Sequence, residues 1–209
     1  TVIDDKVFCK SNDLPNELQN IVSDIFSSGV KVIYYEMLFK RKSEWMISNV
    51  IVSDEMLKEY LQKHIKGCSF SKKFMIKGKK QTEKIAVTNE LKRVWDDVKV
   101  KSVADLSEQL PYIPQSNIAR VISGNDQFVR AMEGEYLWVD RLHITDDEAK
   151  SIFNYVKNAC ETNGFASLSD IPLGDIVEVN YDVPYLTIIN AIYKIVLSEH
   201  FYLNRRILT

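Results

Sequence analysis

Cysteine, histidine, glycine and proline are all scarce in this chain, and each shortage removes a class of protein. Only 3 of the 209 residues are cysteine. Cys9, Cys68 and Cys160 are scattered and odd in number, which argues against a disulfide framework and fits reduced thiols in a cytoplasmic protein. No two of them share zinc-ligand spacing, and His64, His143 and His200 lie too far apart to form a local ligand motif, so no metal is expected. With 7 Gly and 5 Pro the chain has little room for long loops. Gly78 sits in Lys77-Gly78-Lys79-Lys80 without glycine partners, so it is not a phosphate-cradling loop. The apolar runs fall far short of the roughly 18 residues a membrane span needs, and the amino end lacks the order of a signal peptide. The chain starts at Thr1 rather than Met, which suggests a piece of a longer protein.

Catalytic patterns are missing too. No turn resembles one that presents a nucleophile, and Asp4-Asp5, Asp96-Asp97 and Asp146-Asp147 read as helix caps or solvated surface. The expectation is a protein that is not an enzyme and needs no cofactor. What remains is ordinary globular material, 45% hydrophobic and 27% charged, so a packed core is within reach. The net charge of −2 hides an asymmetry. Residues 1 to 100 carry 18 Lys+Arg against 14 Asp+Glu, a formal +4, while residues 101 to 209 carry 9 against 15, a formal −6.

The clearest pattern runs from Ser102 to Val139. Val103, Ala104, Leu106 and Leu110 fall at helical spacing and Pro111 stops that helix; Ile118, Val121 and Ile122 then mark one face of a second helix, closed by Gly124. The opposite face offers Gln115, Asn117 and Arg120, side chains able to reach base edges or phosphates from a helix in a major groove. Phe128 to Val139 alternates as a hairpin around Glu133-Gly134. Helix, turn, helix and hairpin in this order resemble the winged helix-turn-helix superfamily. The resemblance is one of pattern and implies a mainly α fold with small β-hairpins, an α+β protein.

The pattern recurs on either side. An arm over residues 1 to 12 is followed by a first winged-helix-like unit over 13–87. Leu14 to Phe26 forms a helix and Val32 to Phe39 is too apolar to be exposed on either side. Tyr34 and Tyr35 are packing residues, and a loop follows around Lys40 to Ser43. Ser53 caps a helix over Met56 to Ile65, and the hairpin spans Phe70, Phe74, Ile76 and a turn at Gly78. The second unit, over 88–144, begins with a helix from Asn89 to Val98. The third, over 145–209, opens on a capping box at Thr145 and Glu148. It continues with a short helix at Ser167 to Ile171, a helix started by Asp182 and Pro184, and a strand, FYLNRRIL.

Lysines give the best functional signal. Lys72, Lys73, Lys77, Lys79 and Lys80 crowd the first hairpin, next to a helix bearing Lys58 and Lys63, and would supply phosphate contacts to duplex DNA, leaving Gln115, Asn117 and Arg120 for specificity. The third unit has 5 Lys+Arg against 9 Asp+Glu, and its helix from Tyr185 to Val196 is apolar nearly all round. That helix is expected to pack on its neighbours, on a partner protein or on a second copy of the chain. Two readings follow: a DNA-binding module of tandem winged-helix units within a regulatory or DNA-processing protein, or a protein-interaction and assembly domain using such units as adaptors.

Overall fold

The computed structural model describes residues 2–3, 6–7 and 14–209. Apart from two paired two-residue strands, β1 (Val2–Ile3) and β2 (Lys6–Val7), the expected arm lies outside the described residues. The chain is 56% helical, with three small antiparallel three-stranded sheets, so it is mainly α with β-hairpins. It divides into two compact units, residues 1–94 with 105–121 and residues 95–104 with 122–209.

In the first unit α1 (Leu14–Ser27) buries Leu14, Leu18, Val22, Ile25 and Phe26, the 3.6-residue stripe that its sequence spells out. The run from Val32 to Phe39 then divides in the middle. β3 (Val32–Tyr34) is buried throughout, and α2 (Tyr35–Arg41) follows without a loop because Glu36, Lys40 and Arg41 restore a polar face. Tyr34 and Tyr35 are both interior residues. Instead of the expected loop, α3 (Ser43–Ser48) starts one residue after α2 ends. Ser53 caps α4 (Asp54–His64) by accepting the Met56 N–H, and Leu57 and Leu61 join the α1 face in one core.

The first hairpin differs from expectation at its turn. β4 (Cys68–Phe70) and β5 (Phe74–Lys77) are joined through Ser71, Lys72 and Lys73, while Gly78 follows β5. The sheet order is β3-β5-β4. The next helix, α5 (Glu83–Val94), begins ahead of Asn89 and belongs to this first unit. Its buried Glu90 accepts the Lys31 backbone N–H at 2.9 Å and pairs with Arg93 at 2.8 Å. Further along the chain come α6 (Val103–Gln109) and α7 (Gln115–Ser123), the latter placing Asn117 and Arg120 in the first unit.

The second unit holds β6 (Val100–Ser102), β7 (Phe128–Met132) and β8 (Glu135–Trp138) in the order β6-β8-β7, with Gly134 supplying the positive φ of 73° that the hairpin turn requires. α8 (Asp146–Asn163) opens on the full Thr145–Glu148 capping box and closes at Gly164. A third sheet is made by β9 (Ala166–Ser167), β10 (Leu203–Asn204) and β11 (Ile207–Leu208), in the order β10-β11-β9. In all three sheets the last strand in sequence is central.

Three local expectations are corrected here. Ser167 to Ile171 is not a helix: a single 3-10 turn, Leu168–Asp170, follows β9, and α9 (Gly174–Val179) forms later, where Ile176 reaches the core. Asp182 does not cap α10 (Tyr185–Ile192); its carboxylate binds Lys99 at 2.8 Å, and Pro184 occupies the cap position. FYLNRRIL is two short strands around a turn at Arg205 and Arg206, not one strand. The apolar helix finds most of its cover at home. Thr187, Ile188, Ile189, Ala191 and Ile192 are buried, the four apolar ones in one core with Val129 and Leu137 of the β7–β8 hairpin, and Tyr193–Leu197 continues as a π-type turn. Tyr185, Leu186 and Ile195 remain outside.

Candidate nucleic-acid interface

The turn between β4 and β5 projects because the strands on either side are anchored. Phe74, Met75 and Ile76 are buried, the Tyr35 N–H donates to the Lys73 carbonyl at 3.1 Å, and the Tyr35 hydroxyl donates to the Phe74 carbonyl at 2.8 Å. Burial pushes that hydroxyl up to about 12, so it stays a neutral donor. Lys72 and Lys73 are therefore held at a fixed place with their ammonium groups in solvent.

Two clefts flank this turn. The first, about 590 Å³, is lined by Ser71, Lys72, Lys73 and Phe74 on one side and by Lys80, Gln81, Thr82 and Glu83 on the other. The second, about 490 Å³, also takes in Lys72 and Lys73, adding Lys58 from α4, but it contains Glu36, Asp54, Glu55 and Glu59 as well. Three ammonium groups against one carboxylate give the lining of the first cleft a positive balance; three against four give the second a negative one. Within the second cleft, partial burial and the neighbouring Glu55 raise the Asp54 carboxyl above its ordinary value.

The proposed specificity residues have a different employment. Glu83 Oε1 accepts from the Tyr34 hydroxyl, from Asn117 Nδ2 and from Arg120 Nη2, each at 2.6 Å, and Asn117 Nδ2 lies 3.3 Å from the Tyr34 oxygen. Partial burial opposes the Glu83 charge, yet the hydrogen bonds from Tyr34, Arg120 and Asn117 together with the Arg120 charge outweigh it and hold the carboxyl below its ordinary value. Burial, then the bond to Glu83, drives the Tyr34 hydroxyl upward. Arg120 and Asn117 thus fasten α7 to the first turn of α5. Gln115, on the first turn of α7, is exposed.

The lysines do not form one face. Lys72, Lys73 and Lys80 come together, and Lys58 shares the acidic cleft. Lys77 turns to a third cleft with Lys66 and stands 5.5 Å from the Phe26 ring centre. Lys63 and Lys79 are exposed and line none of these clefts. What unites them is that none forms an ion pair among the described residues. Among the described residues of the first unit Arg93 and Arg120 form ion pairs, and the unit holds 18 Lys+Arg against 14 Asp+Glu, a formal +4. In the second unit, with 9 against 15, six of the nine cations are paired: Lys99, Lys101, Arg141, Lys150, Lys157 and Lys194.

Glu83 is the residue that sequence reasoning missed. It lies 49 residues from Tyr34 and 34 from Asn117, and no local spacing links the three. Among the described residues no group of three His, Cys, Asp or Glu side chains is placed to hold a metal ion, and no helix is long and apolar enough to cross a membrane. No protein-family model matches this sequence, and no curated protein matches it.

Proposed function

We propose that the chain is a non-enzymatic DNA-binding module in which the first unit holds the phosphate backbone of a duplex and the second serves as scaffold. The observation that carries this reading is the first cleft, where the fixed Lys72–Lys73 turn faces Lys80 and none of the three ammonium groups forms an ion pair among the described residues. Because Asn117 and Arg120 are tied to Glu83, binding rests on charge rather than on base reading, and its affinity falls steeply with salt. Fluorescence anisotropy with a mixed-sequence duplex across a salt series tests it. Lys72→Glu with Lys73→Glu is expected to weaken binding at least about tenfold on every sequence. Absence of binding at about 50 mM salt, where phosphate-dominated association is strongest, would sink the reading.

A second reading is supported by a different feature. Within eight residues of the acidic unit, Val179, Tyr181, Tyr185 and Leu186 are all exposed, Tyr181 by 87%. A run of this kind in a chain whose other apolar side chains are mostly interior suits an adaptor that docks another protein or a second copy.

A further inference from the structure

We propose that the Arg205–Arg206 turn of the second unit is a separate phosphate contact, an inference that rests on the nucleic-acid reading above but uses none of its residues. The turn joins β10 to β11, whose pairing places Asn204 opposite Ile207 and leaves only the two arginines to reverse the chain. A two-residue hairpin connection favours Asn-Gly, because the backbone must enter conformations that side chains with a Cβ resist. Here Arg205 has φ 58° and Arg206 has φ 158°, and the Arg206 N–H donates back to the Asn204 carbonyl at 2.8 Å, closing a strained three-residue turn.

Strain of this kind persists when something compensates for it. Val50, with φ 64° in the first unit, is compensated by burial, since its side chain is 1% exposed. The backbone of this turn is held within the unit, because the Arg206 carbonyl accepts the Leu168 N–H at 2.9 Å. The two arginine side chains have no such return: both are exposed, and neither forms an ion pair among the described residues, although this acid-rich unit pairs six of its other cations. The sheet accounts for the backbone of the turn but not for two guanidinium groups standing where Asn-Gly would fit, and an anion outside the chain would account for them. Guanidinium forks match phosphate oxygens two at a time. Tyr202, 72% exposed at the base of the same hairpin and fixed by reciprocal backbone bonds with Thr209, adds an exposed aromatic ring to that hairpin, which favours a nucleic-acid strand over a free anion.

The test is anisotropy of the full chain on a mixed duplex, from about 50 to 200 mM salt, comparing wild type, Arg205→Asn with Arg206→Gly, and Lys72→Glu with Lys73→Glu. The Asn-Gly pair is expected to raise the melting temperature, weaken binding about tenfold and make the slope of log affinity against log salt shallower by about two. Unchanged affinity and slope in that variant, with loss in the lysine variant, overturns this proposal and leaves the first-unit reading standing. The reverse pattern supports the arginine turn and removes the lysine cleft. No binding by wild type at any salt overturns both. Should the Asn-Gly pair lower the melting temperature, Arg206→Gln alone must make the slope shallower by about one, or the proposal falls.

Discussion

Glu83 shows how one carboxylate can set the character of a charged surface. It stands in the cleft that Lys72, Lys73 and Lys80 make positive, and it occupies Arg120 at the same time. Glu83→Gln removes a negative charge from the cleft and loosens Arg120, so duplex affinity at low salt is expected to rise about fivefold, measured by anisotropy. A fall in affinity would show that the network matters more than the charge. The same residue sets an acid limit on stability. The carboxyls of Glu83 and Glu148 are both held below their ordinary 4.5, Glu148 by its hydrogen bonds from Thr145. Each contribution is complete above the unfolded value and is lost as pH falls through the folded one, so the melting temperature is expected to decline once pH drops below about 4.5 and to be flat on this account through neutrality. In Glu83→Gln the acid decline should be smaller. None of this was visible residue by residue: Asn117 and Arg120 have side chains suited to base edges, and only the distance to Glu83 shows that their donors are engaged.

Elements obeyed local rules wherever the rule was complete in the local sequence. Thr145 and Glu148 satisfy the first orphan N–H groups of α8 whatever lies beyond, with the Thr145 hydroxyl accepting the Glu148 N–H at 3.3 Å and the Glu148 carboxylate accepting the Thr145 N–H at 2.7 Å. Thr145→Ala is expected to cost about 1 kcal/mol in urea unfolding, with Thr145→Ser close to neutral. Ser53 and Gly164 were legible for the same reason. The elements that were misread depend on distant partners. Asp182 looks like a helix cap beside Pro184, but Lys99 competes for its carboxylate across 83 residues. Val32 to Phe39 is apolar throughout, and its division into strand and helix is set by long-range backbone bonds: the Tyr34 N–H to the Tyr112 carbonyl and the Tyr35 N–H to the Lys73 carbonyl. The first hairpin places its turn at Ser71–Lys73 rather than at Gly78 because Ile76 pairs with both Val32 and Ser69.

For the whole molecule, charge is partitioned between the two compact units, +4 in one and −6 in the other, and among the described residues six of the nine cations of the acidic unit are ion-paired. Under the adaptor reading, light scattering is expected to show an apparent mass rising above 24.2 kDa with concentration, and Tyr181→Ser with Leu186→Ser to return it to that value. A wild-type mass constant at 24.2 kDa over the micromolar range counts against a second copy as the occupant. The sequence by itself determined the class: periodicity, caps and turn glycines made the chain mainly α with β-hairpins, and composition placed its charge asymmetry, because these properties depend on neighbours a few residues apart. Tertiary structure alone decided which described cations form ion pairs, that Lys72, Lys73 and Lys80 share a cleft while Lys77 lines another, that Glu83 holds Arg120, and that Arg205 and Arg206 form an exposed strained turn. Electrostatic character depends on distance between groups far apart in the chain, and that distance exists only once the strands and helices have packed.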